Sequence, residues 1–386
     1  MKKMMNSRER ISAALQRQQV DKIPIVNVFN LGYLKRQLNM KGNMIEKFLE
    51  NPLDTIIKFQ ESIGHDPVFQ VYTHNELTQI RWPGTVFKWP EKKLKKSGWD
   101  VTEEIIRYDG NNPIIKREYR TPSGMMTAYY IRDKCQNWAI EYPLKEETDI
   151  EILKHRPNPD DIDITTIENL IKKLDNRAFV FVGIPSVWHE ACSMRGMDNM
   201  IFDLYDRPEW AKMFLGILKD HSVKLAKKLA ETSIDCIMLN ESSVGMGMSS
   251  EMFEEFIWPL DKEIMDEANR CGKLTDLHIC GRCNNILERM TDMGSTCIEP
   301  LCPADYAGDI DLADAKQRVG HKVGLWGGFK ERVLINSAEE VRQEALRCLD
   351  AAAQGGGYIL RGAGQIFDAK IDNYKVLSDV VSTYRI

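Results

Sequence analysis

The chain has 386 residues, with 52 lysines and arginines against 57 aspartates and glutamates, and its formal net charge is −5. This length suits two average domains or one large barrel with a substantial core. The basic residues are scattered, which argues against a nucleic-acid-binding protein. There is no run of about 18 apolar residues and no signal-peptide core, so we expect a cytoplasmic protein without a membrane span.

Nine cysteines are spread along the chain. An odd number of cysteines in an expected cytoplasmic protein argues for reduced thiols rather than a disulfide framework. Most of them are expected to be ordinary buried thiols, and a few are available as metal ligands.

The first predicted element is a helix over SRERISAALQRQ, with Ser7 as its N-cap and an apolar face formed by Ile11, Ala14 and Leu15. Two candidate strands follow, KIPIVNVFN at 22–30 and DPVFQVYT at 66–73, and a helical stretch lies between them. The rhythm of this part of the chain is therefore strand, helix, strand.

Residues 78–132 break that rhythm with alternating, aromatic-rich segments. The sequence TPSG at 121–124 has the residues of a tight turn and predicts a hairpin. We therefore expect an antiparallel, β-rich insertion over residues 78–132.

Six further apolar strands alternate with helical patterns after this insertion: FVFVGI (179–184), DCIMLN (235–240), LTDLHIC (274–280), TCIEPL (296–301), KVGLWG (322–327) and GYILRG (357–362). Such strands are typical of a parallel sheet, because its crossovers are helical and both its faces are covered. With the two earlier strands they predict one α/β domain over residues 1–386, a (β/α)8 TIM barrel with an N-terminal helical extension. An open doubly wound sheet is the alternative.

In a parallel barrel the active site lies at the carboxyl ends of the strands. The candidate residues at those ends are Asn30, His74, Trp188, His189, Asn240, Glu241, His278, Cys280, Glu299, Cys302, Trp326 and Arg361. His278 and Cys280 point to the same side of their strand, because side chains alternate with period two. Imidazole and thiolate are both zinc ligands, so the pair predicts a metal site. A buried histidine beside a buried thiol is the alternative.

Further ligands are expected on the neighbouring strands. Glu241 and Glu299 end the strands on either side of the His278 and Cys280 pair and are the candidates to complete the site. Cys283 forms a Cys-x-x-Cys motif with Cys280, but a second such motif is absent, so a structural zinc or redox motif is the weaker interpretation.

The remaining candidate residues have roles that follow from position alone. His189 is a candidate proton donor, and Asn240 and Arg361 are candidates for orienting a substrate. Trp188, Trp326 and Tyr129 are candidates to line an apolar substrate pocket, with ordinary core packing as the alternative.

Several motifs resemble the uroporphyrinogen decarboxylase superfamily: SRERISAALQRQQVDKIP (7–24), TPSG (121–124), DLYDRPEW (203–210), MSSEMFEEFIWP (248–259), LHICG (277–281) and IDLADAKQRVGHKVGLWGG (310–328). Decarboxylases of this superfamily carry an arginine-rich stretch after the first strand, and NVFNLGYLKRQ at 27–37 lacks it. The chain more closely resembles the zinc-dependent, corrinoid-linked methyltransferases, whose His-x-Cys motif matches His278 and Cys280.

This resemblance implies zinc as the metal, a corrinoid carried by a partner protein, and a small-molecule methyl donor. Thiol-activating members have a further cysteine near the last strand, where Ala363 stands here. Loss of a thiolate makes the ion harder and favours an oxygen substrate. We therefore expect an O-demethylase-type methyltransferase that moves a methyl group from an O-methyl substrate, with a methoxylated aromatic favoured, to cobalt(I).

Two alternatives stay open. The first is methyl transfer from a methylated corrinoid to a thiol, which would be favoured if Cys297 or Cys302 were the missing ligand. The second is a metal-free decarboxylase or binding protein. A homodimer is compatible with the sequence, which leaves the oligomeric state open.

Overall fold

The computed structural model describes residues 4–29, 33–34, 37, 52–73, 80–81, 98–133, 137–304, 307–362, 364 and 368–385. Three candidate positions, Asn30, His74 and Ala363, lie outside these residues, as does much of the segment 27–37. Among the described helices, none is both long enough and apolar enough to span a bilayer.

The described strands form two sheets. Their bounds are β1 Val68–Thr73, β2 Ile80–Arg81, β3 Asp100–Asp109, β4 Asn112–Thr121, β5 Gly124–Arg132, β6 Asn137–Glu141, β7 Phe179–Pro185, β8 Cys236–Gly245, β9 Leu274–Gly281, β10 Cys297–Glu299, β11 Gly324–Trp326 and β12 Tyr358–Ile359. The larger sheet has the order β12-β11-β10-β9-β8-β7-β1-β2, and its neighbours are parallel except β1 and β2. Its seven parallel strands form a curled sheet, and all seven overlap predicted strands.

Helices follow the parallel strands in sequence. The α-helices are α1 Ser7–Leu15, α2 Pro52–Ser62, α3 Thr165–Leu174, α4 Val187–Arg195, α5 Met197–Asp206, α6 Pro208–Ala230, α7 Ser250–Met252, α8 Trp258–Arg270, α9 Leu287–Asp292, α10 Leu312–Val319, α11 Ala338–Ala352 and α12 Ile371–Thr383. A π-helical turn at Phe253–Ile257 joins α7 to α8, and short 3-10 helices lie at Glu147–His155, Pro159–Asp161, Asn284–Ile286 and Glu331–Ile335. The helices and the outer face of the sheet share a large apolar core.

Helix α1 begins at Ser7, but its N-cap is Asn6, so the predicted cap is wrong by one residue. Asn6 Oδ1 accepts the backbone N–H of Glu9 at 2.8 Å, and the Glu9 carboxylate accepts the N–H of Asn6 at 3.0 Å. Asparagine is at least as good a cap as serine, and Ser7 donates its hydroxyl instead to Asp66 at 2.8 Å.

The inner face of the curled sheet carries its own apolar cluster. It contains Phe179, Phe181, Cys236, Met238, Cys297, Trp326 and Ile359 of the strands and Ile11, Ala14 and Leu15 of α1. A Cβ on Gly324, the first residue of β11, would lie 2.7 Å from the carbonyl oxygen of Leu15. Helix α1 therefore packs against the amino-terminal end of the sheet, and the polar candidates lie toward its carboxyl end.

The predicted strand at 22–30 is reduced to a single bridge. Ile25 forms a parallel bridge with Leu360, and Val26 N–H donates to Leu360 O at 3.0 Å. On its other side, Ile25 O accepts the N–H of Asp66 at 2.8 Å. A closed barrel requires its first strand to pair with a strand on each side. Ile25 has one contact on each side, and closure of the barrel stays a prediction. Pro24, which has no N–H, limits the pairing.

The second sheet is antiparallel, with the order β3-β4-β5-β6. Strands β4 and β5 pair from Ile114 opposite Ile131 to Thr121 opposite Gly124, where the chain turns. The sheet extends to residue 141 and so passes the predicted end of the insertion at 132. The alternating pattern had underestimated it because β6 is short and mostly exposed.

Candidate metal centre

A row of polar side chains crosses the larger sheet at the carboxyl ends of three strands. His278 of β9 is in register with Asn240 of β8 and with Glu299 of β10. Side chains in register on neighbouring strands share a face, and Cys280 shares it too because it follows His278 by two residues. Asn240 Oδ1 accepts the hydroxyl of Ser242 at 2.7 Å. The structure therefore brings four predicted site residues onto the inner face.

The end of β9 is held against β8 by a close backbone approach. A Cβ on Gly245 would lie 2.2 Å from the carbonyl oxygen of Cys280, a distance that no side chain could accommodate without backbone movement. Arg282 N–H donates to Gly245 O at 3.0 Å just beyond this point. Glycine at 245 is therefore required for β9 to present Cys280 in this position.

The two predicted metal ligands are in direct contact. Cys280 Sγ lies 3.1 Å from His278 Nε2, and His278 Nδ1 lies 2.8 Å from Glu299 Oε1. Because the two ring nitrogens point in different directions, Glu299 can orient the ring while Nε2 binds an ion. Metal-ligating histidines usually donate their other ring N–H to a carboxylate in this way. Glu299 is thus placed to orient His278 rather than to be a ligand beside Nε2.

Glu299 is in turn paired with Arg361. The carboxylate is fully buried, and Arg361 Nη1 forms an ion pair with its second oxygen. The guanidinium lies 5.0 Å from the ring centroid of Trp326, which is itself fully buried and packs edge-on against Phe181 at 5.5 Å. Arg361 is therefore held between a carboxylate and an aromatic ring, close to His278.

Both histidines near this row are neutral at neutral pH. Burial, together with the positive charge of Arg361, lowers the pKa of His278 to about 4. Burial, together with repulsion from His278, lowers the pKa of His189 to about 4. A neutral imidazole is the form that ligates a metal. The same shift makes His189 a poor match for the predicted role of proton donor near pH 7.

A second sulfur atom lies beside the pair. The thiol of Cys302, 4 % exposed, shares a hydrogen bond with Cys280. This bond, with help from the backbone N–H of Gly281, lowers the pKa of Cys302 to about 7 against the effect of burial. The same contact and burial raise the pKa of Cys280.

Zinc is the metal implied by the resemblance, and the donor atoms present suit it. Imidazole nitrogen and thiolate sulfur are its usual ligands, and an oriented Nδ1 is a usual second contact. Within the part of the chain that the structure describes, no group of three or more His, Cys, Asp or Glu side chains is arranged to hold a metal ion as it stands. The structure therefore provides two ligands in contact and an orienting carboxylate, and zinc binding stays a prediction.

Glu241 does not lie with the pair. It is in register with Ile279, whose side chain belongs to the outer apolar core, so it points away from His278 toward the helices. Its carboxylate accepts the hydroxyl of Ser186, the backbone N–H of His189 at 3.3 Å and that of Val244 at 3.0 Å. The predicted ligand role of Glu241 has no support in this geometry, because strand alternation gives the inward position to its neighbour.

A second buried carboxylate holds the same helix terminus, and the sequence did not indicate it. Asp261 Oδ1 accepts the N–H of Val187, the first residue of α4, at 3.0 Å. Ser186, the N-cap, accepts the N–H of His189 at 3.2 Å. Asp261 lies in the ordinary apolar pattern of α8, so only the packing of α8 against α4 reveals its role in positioning His189.

Asp261→Asn is expected to flatten the pH dependence of stability. Burial, together with the charge of Glu241, raises the pKa of Asp261 well above its usual value. Stability from such a group is fully present below the unfolded pKa of about 4 and is lost as pH rises toward the folded pKa. The variant keeps the acceptor for Val187 and removes this loss, so its gain in unfolding free energy should be larger at pH 8 than at pH 5.

Urea denaturation at both pH values measures this gain. Asp266→Asn is the matched control, because Asp266 lies one turn and one residue further along α8 and is exposed. Equal pH dependence in wild type and Asp261→Asn would contradict the prediction.

The three aromatic residues predicted to line a pocket lie in three separate places. Trp188 is 1 % exposed and packs in the outer core, and Trp326 lies beneath Arg361. Tyr129 is in the antiparallel sheet, where Lys145 Nζ lies 5.9 Å from its ring centroid. The structure does not bring them together, and for Trp188 the packing alternative describes the environment better.

The comparisons with known proteins agree with this fold. The family model for uroporphyrinogen decarboxylase (URO-D) matches residues 126–384. The uroporphyrinogen decarboxylases of Trichodesmium erythraeum and Ruthia magnifica are each 25% identical, over 74% and 73% of this chain and 83% of each relative. A methyltransferase from Methanosarcina mazei shares the fold, with a TM-score of 0.64 and 16% identity over 98% of both chains. The family match spans well over half of the sequence, and the chain belongs to the uroporphyrinogen decarboxylase family.

Proposed function

We propose that this chain is a zinc-dependent methyltransferase that moves a methyl group between a small molecule and the corrinoid of a partner protein. The observation that carries the proposal is the contact of Cys280 Sγ with His278 Nε2 at 3.1 Å, while Glu299 orients the other ring nitrogen. This pair lies on the inner face, toward the carboxyl end of the sheet, where parallel barrels place their active sites. Zinc, when bound, would supply a Lewis acid there.

The residues of the chain have distinct tasks in this proposal. His278 and Cys280 bind the ion, and Glu299 accepts the Nδ1–H of His278 so that Nε2 keeps its lone pair for the ion. Arg361 neutralises the buried carboxylate of Glu299. Asn240, in register with His278, is the neighbouring polar side chain available to orient the small molecule.

The sequence favours an O-methyl donor, with a methoxylated aromatic as the main candidate. In that reaction the carbon–oxygen bond breaks, its electron pair stays on oxygen, and the oxygen takes up a proton from solvent. The methyl group bonds to cobalt through the electron pair of cobalt(I). The acceptor is a corrinoid on a separate protein.

The second candidate function is decarboxylation, because the curated relatives carry the name uroporphyrinogen decarboxylase. The absence of an arginine-rich stretch in the sequence 27–37 argues against it, since several carboxylates must be bound by positive charge. The His278 and Cys280 pair also has no evident task in a metal-free decarboxylase.

A panel assay tests the proposal. The full chain is mixed with zinc, a reduced corrinoid protein and, in turn, methoxylated aromatics, methanol and methylated thiols. The reverse direction uses a methylated corrinoid with free thiols, and uroporphyrinogen is tested in parallel. We expect cobalt absorbance to change with one class of small molecule only, and the change to disappear after chelation and return with zinc. Carbon dioxide release from uroporphyrinogen without any methyl transfer would establish the second candidate instead.

A further inference from the structure

We infer that Glu331 is a positioning residue, which fixes the backbone at the end of β12 and thereby holds Arg361 against Glu299. This inference rests on the proposed function and deepens it, because Glu299 is the carboxylate that orients His278. Glu331 acts through the chain, since its carboxylate contacts the backbone that follows Arg361.

The carboxyl group of Glu331 is packed closely against that backbone. Its Oε2 accepts the N–H of Gly364 at 2.7 Å. A Cβ on Gly362 would lie 2.7 Å from Cδ and 3.0 Å from Oε1 of Glu331, so glycine at 362 lets the carboxyl group come this close. Glu331 therefore contacts the chain one and three residues beyond Arg361.

The segment 327–331 also runs beside the other half of the ion pair. Gly328 N–H donates to the carbonyl oxygen of Pro300, the residue after Glu299, at 2.9 Å. A Cβ on Gly327 would lie 1.9 Å from the same oxygen, so this approach of two backbones requires glycine. The segment is thus fixed against the end of β10.

The same segment pairs with the end of β12. Phe329 forms a parallel bridge with Gly362, and the side chain of Glu331 extends this contact. One short segment therefore joins the backbone just after Glu299 to the backbone just after Arg361. Its position sets the distance between the two partners of the buried ion pair.

Two C-terminal helices hold Glu331 from behind. It begins the 3-10 helix Glu331–Ile335. The N–H of Lys330 donates to Glu344 of α11 at 2.9 Å, and the side-chain amide of Asn373 of α12 donates to Leu334 O at 2.8 Å. The base of the carboxyl group is therefore anchored on α11 and α12, and its tip reaches the site strand β12.

The environment of Glu331 is unfavourable for a carboxyl group. The side chain is 1 % exposed, and no described lysine or arginine forms an ion pair with it. Burial raises the pKa of Glu331 to about 8, and the hydrogen bond from Gly364 opposes this rise. Burying such a group costs stability, and groups of this kind are concentrated at functional sites. Glu331 is therefore neutral at pH 7 and gains a charge above pH 8.

The titratable and charged groups around Glu331 come from several elements. From α12 the phenol of Tyr374 faces it, and burial together with the charge of Glu331 raises the pKa of that phenol. From α11, Glu344 is paired with Arg347 at 2.6 Å, and from β12, Arg361 is held in its own ion pair. The segment of Glu331 itself adds Lys330 and Arg332. Ionised Glu331 thus has no free cation on α11 or β12 and should disturb the end of β12.

Fluorine NMR on protein labelled with 5-fluorotryptophan tests this inference without metal or turnover. The guanidinium of Arg361 lies 5.0 Å from the ring centroid of Trp326, so the Trp326 resonance, assigned by its loss in Trp326→Phe, reports the position of Arg361. We expect this resonance to shift with pH in the wild type, with a midpoint at about pH 8. In Glu331→Gln it should keep its position, because glutamine retains an acceptor for Gly364 and cannot ionise.

Two further variants complete the test. Glu331→Leu removes the acceptor, so it should displace the Trp326 resonance at every pH and lower methyl transfer about 10-fold, whereas Glu331→Gln should retain the wild-type rate. Glu339→Gln is the matched control, since Glu339 is exposed in the first turn of α11, and should titrate as the wild type does.

The outcomes separate this inference from the proposed function. A Trp326 resonance that does not move with pH in the wild type, or one that titrates equally in Glu331→Gln, would overturn the role of Glu331. The expected resonances without methyl transfer in the panel would support the coupling of Glu331 to Arg361 and sink the proposed function alone. Should Glu331→Leu fail to fold, the comparison of the wild type with Glu331→Gln decides.

Discussion

Replacing His278 with alanine is expected to lower the rate of methyl transfer by about 10²–10⁴-fold, which corresponds to the several kcal/mol that a Lewis acid contributes. The variant removes the nitrogen that contacts Cys280 and leaves the ion without the ligand that Glu299 orients. Zinc binding should weaken in parallel, because a catalytic site with three protein ligands loses one of them.

The rate is measured from cobalt absorbance, and bound zinc by metal analysis after mild chelation. His321→Ala is the matched control, since His321 is exposed in the loop before β11. If His278→Ala retained both zinc and full methyl transfer, the reaction centre proposed here would be in the wrong place.

Arg361→Met is expected to destabilise the fold by about 3–5 kcal/mol, because it leaves the fully buried carboxylate of Glu299 without its ion-pair partner. Methionine keeps much of the apolar contact with Trp326, so the loss reports mainly on charge. Urea denaturation at neutral pH measures the effect.

Two companion variants sharpen this test. The double variant Arg361→Met with Glu299→Gln should recover part of the lost stability, since no buried charge is left unpaired. Arg270→Met removes a largely exposed guanidinium that pairs with Glu267 and should change stability little. A single Arg361→Met variant that is as stable as wild type would show that Glu299 does not depend on Arg361.

The strand assignments illustrate how far local pattern goes. The segments at 179–184, 235–240 and 274–280 are predicted as strands because each is a short segment rich in apolar residues, as is typical of strands in a parallel sheet. The segment at 22–30 is also rich in apolar residues, but its described residues, 22–29, form a bridge at Ile25 rather than a full strand. The segments differ in the strands that are available to pair with them. For the segment at 22–30, pairing depends on how the amino-terminal and carboxyl-terminal parts of the chain meet.

In the candidate site, too, some features follow from the local sequence and others depend on how strands pair. The common direction of His278 and Cys280 follows from strand alternation, so the sequence was sufficient to predict it. The alternation also excludes Glu241 from the inner face once β8 and β9 are in register, but register is a property of two strands together. Glu241 is predicted as a ligand from the chemistry of its carboxylate. The chemistry of a side chain gives no information about strand register.

By itself, then, the sequence determined the seven parallel strands of the larger sheet, the family to which the chain belongs, and the pairing of imidazole with thiol on one strand. The tertiary structure alone decided that Glu299 orients His278, that Arg361 neutralises Glu299, and that Cys302 lies against Cys280. Periodicity is set by the geometry of a single element and can be read locally. Contacts between residues far apart in sequence depend on strand register and loop paths, which arise only when the whole sheet is assembled.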